Sequence, residues 1–205
     1  MSKNDVLQFH HNRSGVWIYL AIEGGFDGER ILGSASAYPR GGIGRPLTRG
    51  QRLRKSSGFD LQLPDRVGGR VVDWHERRNY GQPPPLRVWC GPQWSLFNAT
   101  AREKFFAQEW MVSSQSDRVG YRLQGEGLRA PASEIVSEPV LAGSIQVPPN
   151  GQPIVTMRDG PTVGGYPKIG LLDPADVSRL AQCRPGTKVR FRMQEQACHE
   201  SRPQL

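Results

Sequence analysis

Residues 114–123 read SQSDRVGYRL, which places Gln115, Ser116, Asp117 and Arg118 immediately before the strand-like GYRL. A carboxylate beside a guanidinium, flanked by an amide and two hydroxyls, could orient a substrate amide or carboxylate. Arg122, two residues past Gly120, could add a bidentate contact. The same residues also suit an Asp–Arg surface pair ahead of a strand. A second cluster is DGPTVGGYPKIG, from Asp159 to Gly170. Gly164 and Gly165 would let the backbone approach a ligand with N–H groups turned toward an anion, and Tyr166 and Lys168 add a hydroxyl and an ammonium. A glycine turn between two strands accounts for the cluster equally well. The run GGIG, Gly41 to Gly44, is a third and weaker glycine loop.

Other chemistry is poorly represented. The chain lacks the phosphate-loop, zinc-protease and nucleophile-elbow signatures. His10 and His11 are adjacent, so on a strand their side chains diverge, and Cys198-His199 lies in a polar tail. No metal is expected. Cys90, Cys183 and Cys198 are widely spaced with no C-x-x-C, a pattern that reads as reduced thiols in a cytoplasmic protein.

The elements that must position these groups are short. VWIYLAI, Val16 to Ile22, reads as a buried strand closed by Gly24-Gly25, and QRLRK as a possible short strand after the loop YPRGGIGRP. GQPPPL, Gly81 to Leu86, is the best domain boundary, because consecutive prolines donate to neither sheet nor helix. LRVWCG then opens a second unit as a strand. NATAREKFFAQEW predicts a short helix with Thr100 and Glu103 at capping-box spacing and Phe105 and Phe106 on its apolar side. WMVS and GYRLQ read as strands, and GSIQVPPNGQPIVTM as a hairpin turning at Asn150-Gly151. DPADVSRLAQ predicts a helix capped by Asp173 with Pro174 in its first turn. TKVRF is a closing strand. Many short strands with two small helices indicate a β-barrel or sandwich.

Composition agrees. Gly 24 and Pro 17 in 205 residues suit a turn-rich β protein, and 37% hydrophobic residues exclude a disordered chain. The net charge is +8, and most of the 27 basic residues are arginine, whose planar fork suits carboxylate or phosphate. The densest basic run, RPLTRGQRLRK, has no interleaved aromatics for base stacking, so no nucleic-acid partner is expected. The N-terminus has no apolar signal region and no run is long enough to span a membrane, so no membrane partner is expected either.

Taken in order, YLAIEGGFDGERILGSASAYPRGGIG, LRVWCGPQWSLF, SQSDRVGYRL, SEPV, GSIQVPPNGQPIV, GGYPKIG and RLAQCRPGTKVRF resemble the allophanate-hydrolase subunit 2-like family. That family includes the C subunit of prokaryotic 5-oxoprolinase, the Kip-type regulators and one half of the carboxyltransferase domain of urea carboxylase. The resemblance implies two cyclophilin-like β-barrels with a few short helices, residues 1–85 forming the end of an incomplete first barrel and residues 86–205 the second. It implies an ATP-dependent (with Mg) opening of 5-oxoproline to glutamate, carried out together with partners that resemble the B and A subunits of that enzyme. A biotin-dependent carboxyltransferase component and a non-catalytic Kip antagonist-like binding protein are the alternatives. The matching positions are Gln115, Ser116, Asp117, Arg118 and Tyr121 in one stretch, and Ser144, Gln146, Gln152, Thr162, Gly164, Gly165, Tyr166 and Lys168 in the other. Asp117, Arg118 and Lys168 are the expected catalytic groups. Gln115, Ser116, Tyr121, Arg122, Gln146, Thr162, Gly164, Gly165 and Tyr166 are expected to bind substrate or nucleotide. The chain departs from the family pattern in having Ala35 and Ala37 in GSASA, and Gly160, Pro161 and Val163 in DGPTVGG, where the family tends to carry polar side chains. Met1 also enters the pattern partway through the first barrel.

Overall fold

The computed structural model describes residues 6–8, 15–56, 73, 79–80, 82–83, 85–131 and 135–194. His10, His11, Gly81, Pro84, Cys198 and His199 lie outside the described residues. The chain divides into two compact units, residues 1–17 with 78–205, and residues 18–77.

The first of these is a barrel. Its strands are β1 (Leu86–Cys90), β2 (Trp110–Val112), β3 (Gly120–Gln124), β5 (Ser144–Gln146), β6 (Ile154–Thr156), β8 (Lys168–Leu172), β9 (Lys188–Val189) and β10 (Phe191–Met193), hydrogen-bonded in the order β10-β1-β8-β5-β6-β3-β2-β9. The two end strands are consecutive in sequence, separated only by Arg190. One half of the TKVRF segment pairs with β2 and the other with β1, which brings the sheet's edges together. The Leu86 N–H donates to the Arg190 carbonyl (2.7 Å) and the Val112 N–H to the Thr187 carbonyl (2.9 Å), stitching both sides of the seam. Such closure removes exposed edges. Among the described residues the fold is mainly β with two short α-helices, consistent with a cyclophilin-like barrel.

Inside, Leu86, Val88, Leu123, Ile145, Val155, Ile169 and Leu172 are fully or almost fully buried. Helix α1 (Ala99–Ala107) adds Phe105, which stacks on Phe191 (4.7 Å between centroids), and the Trp110 indole donates to the Phe105 carbonyl (2.9 Å). Its cap is Asn98, whose side chain accepts from the Ala101 N–H (2.8 Å), so the Thr100–Glu103 spacing does not start the helix. Helix α2 (Pro174–Leu180) begins as expected, with Asp173 accepting from the Ala175 N–H (3.0 Å) and Pro174 in the first turn. The β5–β6 hairpin also forms, and in its connection only Gly151 takes a positive φ, +74°.

A second, two-stranded ribbon of β4 (Glu138–Pro139) and β7 (Val163–Gly164) stands apart from the barrel ladder.

The unit of residues 18–77 contains a 3-10 turn at Pro39–Gly41 and isolated bridges Phe26–Lys55, Ile31–Ser34 and Tyr38–Ile43 among its described residues. QRLRK therefore contributes one bridge residue and not a strand. VWIYLAI is the main departure from expectation: it pairs with no strand among the described residues, and Tyr19 is 86% exposed. Apolar composition favours a strand only where a neighbouring edge offers hydrogen bonds. Here the Val16 and Trp17 N–H groups donate instead to the Gln182 side-chain oxygen (2.8 and 2.9 Å). Cys183 is a free, buried thiol, whereas Cys90 is disulfide-bonded, which corrects the expectation of three reduced thiols.

Candidate functional site

Alternation along the strands decides which groups face the core. Ile145 and Val155 point into the barrel, so their neighbours Ser144, Gln146 and Thr156 point to its outer face. These three are nevertheless almost fully buried, as is Lys168, the register partner of Gln146. Polar side chains on an outer face become buried only under a cover. Here the β4–β7 ribbon covers part of the cluster, since Glu138 and Pro139 bond to Lys168 and Gly164 lies against Gln146.

Each buried group has a partner. Lys168 Nζ donates to the Pro139 carbonyl (2.7 Å) and pairs with Glu138 Oε1 (2.7 Å). Gln93 Nε2 donates to the same Glu138 oxygen (2.7 Å), while Gln93 Oε1 accepts from the Lys168 backbone N–H (3.1 Å). Gln93 thus holds Lys168 from both ends. The Lys168 hydrogen bond keeps the Glu138 carboxyl below the ordinary carboxylate range; partial burial opposes the shift, and Gln93 and the Lys168 charge reinforce it. Gln146 Nε2 donates to Thr156 Oγ1 (2.9 Å), and a Cβ added to Gly164 would stand 3.0 Å from Gln146 Oε1. Gly164 therefore serves close packing of the ribbon on Gln146.

Beyond Gly164 the chain borders a cavity of about 670 Å³ lined by Arg129, Ile135, Val147, Gly165, Tyr166 and Pro167, among others. Tyr166 is 48% exposed. The arrangement offers a cation and a phenol beside an apolar wall, with the Lys168 ammonium two residues further along the chain. Gly164 sits in the β7 ladder, and neither Gly164 nor Gly165 adopts a positive φ. The pair does not fit a phosphate cradle of successive N–H groups.

The first cluster is built differently. Asp117 Oδ1 accepts from the Val119 and Gly120 N–H groups (2.9 and 3.1 Å), closing its own turn. Ser116 Oγ accepts from the Arg122 N–H (3.0 Å) and donates to its carbonyl (3.2 Å). Arg118 reaches Asp159 (2.8 Å), and the Asp159 N–H returns to the Arg118 carbonyl (3.1 Å), so this loop docks on the turn that leads from β6 toward the ribbon. Gln115, Arg122 and Thr162 are exposed. Gln152 braces the β3 end, accepting from the Gly125 N–H (3.0 Å). Tyr121 lies in the core, its hydroxyl donating to the Ala181 carbonyl (2.8 Å), and burial pushes its pKa up to about 12.

The structure therefore gathers Gln146, Gly164 and Lys168 into one buried cluster, with Gly165 and Tyr166 at the neighbouring cavity. Asp117, Arg118 and Ser116 form a separate loop joined to it through the 157–162 turn. Gln93, Glu138 and Arg129 are additions that sequence reading did not single out. The only signal for Glu138 was an acidic residue in the otherwise uncharged SEPV, and its partner is 30 residues away in the chain.

A closed barrel with a polar cluster buried on its outer face defines a cyclophilin-like domain built around a side-chain network. Residues 1–193 match the family described as "Carboxyltransferase domain, subdomain A and B", and the chain belongs to that family. It is 36% identical over 198 residues to the C subunit of 5-oxoprolinase from Escherichia coli, an alignment covering 93% of this chain and 60% of that protein. The chain thus spans about 60% of the length of that relative. The crystal structure of TTHA0988 matches with a TM-score of 0.68 at 35% identity, over 84% of this chain and 32% of that one. The urea amidolyase of K. lactis matches with a TM-score of 0.63 at 26% identity, over 83% of this chain and 12% of that one. No helix among the described residues is long and apolar enough to cross a membrane.

Proposed function

We propose that the chain is part of one component of an ATP-dependent 5-oxoprolinase-like amidohydrolase, which opens a small cyclic amide in company with proteins resembling the B and A subunits of 5-oxoprolinase. The 36% identity to the Escherichia coli protein, spread over 93% of this chain, carries the reading. A lactam amide is unreactive, and opening it builds negative charge on the former carbonyl oxygen. An ammonium fixed in a water-poor setting favours that charge. Lys168 supplies the ammonium, and Gln93 and Glu138 hold it. Arg129 and Tyr166 at the cavity would receive the substrate carboxylate and amide, with Asp117 and Arg118 as the further polar wall. Gly164 sits in the ribbon ladder and neither it nor Gly165 has the positive φ of an anion-binding nest, so ATP and its Mg belong in this reading to the shared assembly.

The test is reconstitution with the two partner proteins, measuring glutamate and ADP formed from 5-oxoproline. Lys168→Ala is expected to lower the rate by about a hundredfold, the scale for loss of an oxyanion-stabilising donor. A rate within about twofold of wild type would remove Lys168 from the chemistry.

The likeness to urea amidolyase supports a second reading, a carboxyltransferase component working with a biotinylated partner. Urea-dependent ATP turnover with such a partner, and none with 5-oxoproline, would select it.

A further inference from the structure

A second cavity, about 760 Å³, opens at the barrel seam, away from the cluster beneath the ribbon. Arg184, Lys188 and Arg190 line it together with Glu109, Pro83 and Pro85. Lys188 and Arg190 stand two residues apart on the closing strand, so their side chains leave the same face, and both are well exposed. They share one carboxylate: Glu109 lies 3.2 Å from Lys188 Nζ and 3.2 Å from Arg190. The hydrogen bonds from Lys188 and then Arg190 hold the Glu109 carboxyl below the ordinary range against partial desolvation. The cleft therefore already holds a carboxylate: among the described lining residues Glu109 is the one acid beside three cations, pairing with Lys188 and Arg190, while Arg184 donates through Nε to the Gly15 carbonyl (2.9 Å).

The chemistry of the walls narrows the occupant. The Gly186 N–H donates to the Val112 carbonyl (2.8 Å) and the Thr187 N–H to the Arg184 carbonyl (2.9 Å), so these backbone donors are already engaged and do not form a phosphate nest. Among the described residues no aromatic ring lines the cleft for a base to stack on. What remains is excess positive charge on long exposed side chains beside prolines, which have no N–H to donate and a restricted backbone. Such a surface recognises carboxylates displayed along an extended chain.

The geometry points to this cleft as a docking site for an acidic, Asp/Glu-rich segment of a partner protein, recognised by Arg184, Lys188 and Arg190. The inference does not depend on the proposed reaction, since the cleft and the Lys168 cluster share no residue.

The test is titration of the full chain with a fluorescein-labelled hexaglutamate peptide by fluorescence anisotropy. Binding is expected to weaken by about tenfold in Lys188→Glu/Arg190→Glu and to fall as NaCl rises from about 50 to about 300 mM. Arg158→Glu/Arg192→Glu changes the net charge equally outside the cleft and is expected to leave binding near wild type. If repulsion from Glu109 lowers the melting temperature of the first variant, Lys188→Gln/Arg190→Gln replaces it and is expected to weaken binding in the same direction. Equal weakening in the cleft and control variants would reduce the effect to net charge and overturn the site. Absence of peptide binding would overturn it as well. Displacement of the peptide by inorganic phosphate or ATP at lower concentration than by free peptide would assign the cleft to a phosphate ligand instead.

Discussion

Two carboxylates in the barrel unit each meet cations, and the contrast between them separates framework from candidate site. Asp176 is completely buried in the first turn of α2. It accepts from the Arg87 backbone N–H (2.9 Å) and Arg87 Nε (2.8 Å) and pairs with Arg179, while Arg87 also reaches Asp173 (2.8 Å). Every one of these bonds lies within α2 and its cap or runs from there to the start of β1, so both carboxylate oxygens are engaged in holding the helix to the barrel. Glu138, by contrast, sits on a ribbon of only two residue pairs, its side chain is 30% exposed, and it neutralises the buried Lys168. Burial and ion pairing are common to both. The difference is the element that carries the carboxylate: a helix locked on the barrel, or a short ribbon lying over it. A network becomes a candidate site when one partner can be exchanged without unfolding the domain.

The largest expected effect tests the framework half. Asp176→Ala leaves Arg87 and Arg179 without their common anion, and loss of one member of a buried pair costs about 3–5 kcal/mol. Burial alone would raise the Asp176 pKa, but the Arg87 side-chain and backbone hydrogen bonds and the Arg179 and Arg87 charges outweigh it and leave the carboxyl below its ordinary value. A carboxylate with a depressed folded-state pKa contributes stability above the unfolded pKa and loses it as pH falls through the folded one. Thermal melts at neutral pH and through the acid range should show the loss at neutral pH and a flatter acid limb in the variant. Equal destabilisation at every pH would remove Asp176 from the acid transition.

The next effect tests the ribbon. Lys168→Met strands Glu138 and the Pro139 carbonyl and should cost about 2 kcal/mol, the scale of a hydrogen bond to a charged group. Lys168→Met with Glu138→Leu should recover about half of the summed single losses if the pair is coupled, as contacting residues are. Additive losses in chemical-denaturation midpoints would mean that Gln93 and the ribbon ladder hold Lys168 without help from Glu138.

Most of the barrel was legible in its sequence because its cues are local. The Asp173–Pro174 start of α2, the hairpin around Gly151 and the strands LRVWC and GYRLQ each follow from residues within a few positions of one another. VWIYLAI was misread for the opposite reason: composition indicates strand propensity but not whether an edge is available to pair with. The candidate site was half legible. Gly164 and Lys168 were singled out in the glycine-rich DGPTVGGYPKIG cluster and Gln146 through the family resemblance, but their burial depends on β4, a two-residue strand that no periodicity reveals. The SQSDRVGYRL loop attracted attention through its density of polar groups. Asp117 and Ser116 turn out to bond nearby backbone, which Asp and Ser do in turns generally.

Arg118 gives the smallest stability effect and the sharpest test of that loop. Its pair with Asp159 is 48% exposed on the arginine side, so Arg118→Ala should cost about 0.5 kcal/mol or less, and added salt should reduce even that. A small stability cost makes the variant informative in the reconstituted reaction, where folding no longer confounds rate. If glutamate formation falls by about tenfold or more while the melting temperature stays near wild type, Arg118 acts on the substrate and the loop and ribbon clusters form one site. If rate and stability both barely change, the arginine only fastens the 113–119 loop to the 157–160 turn. The chemistry is then confined to the groups around Lys168, whose own side chain is buried and held by Glu138 and the Pro139 carbonyl.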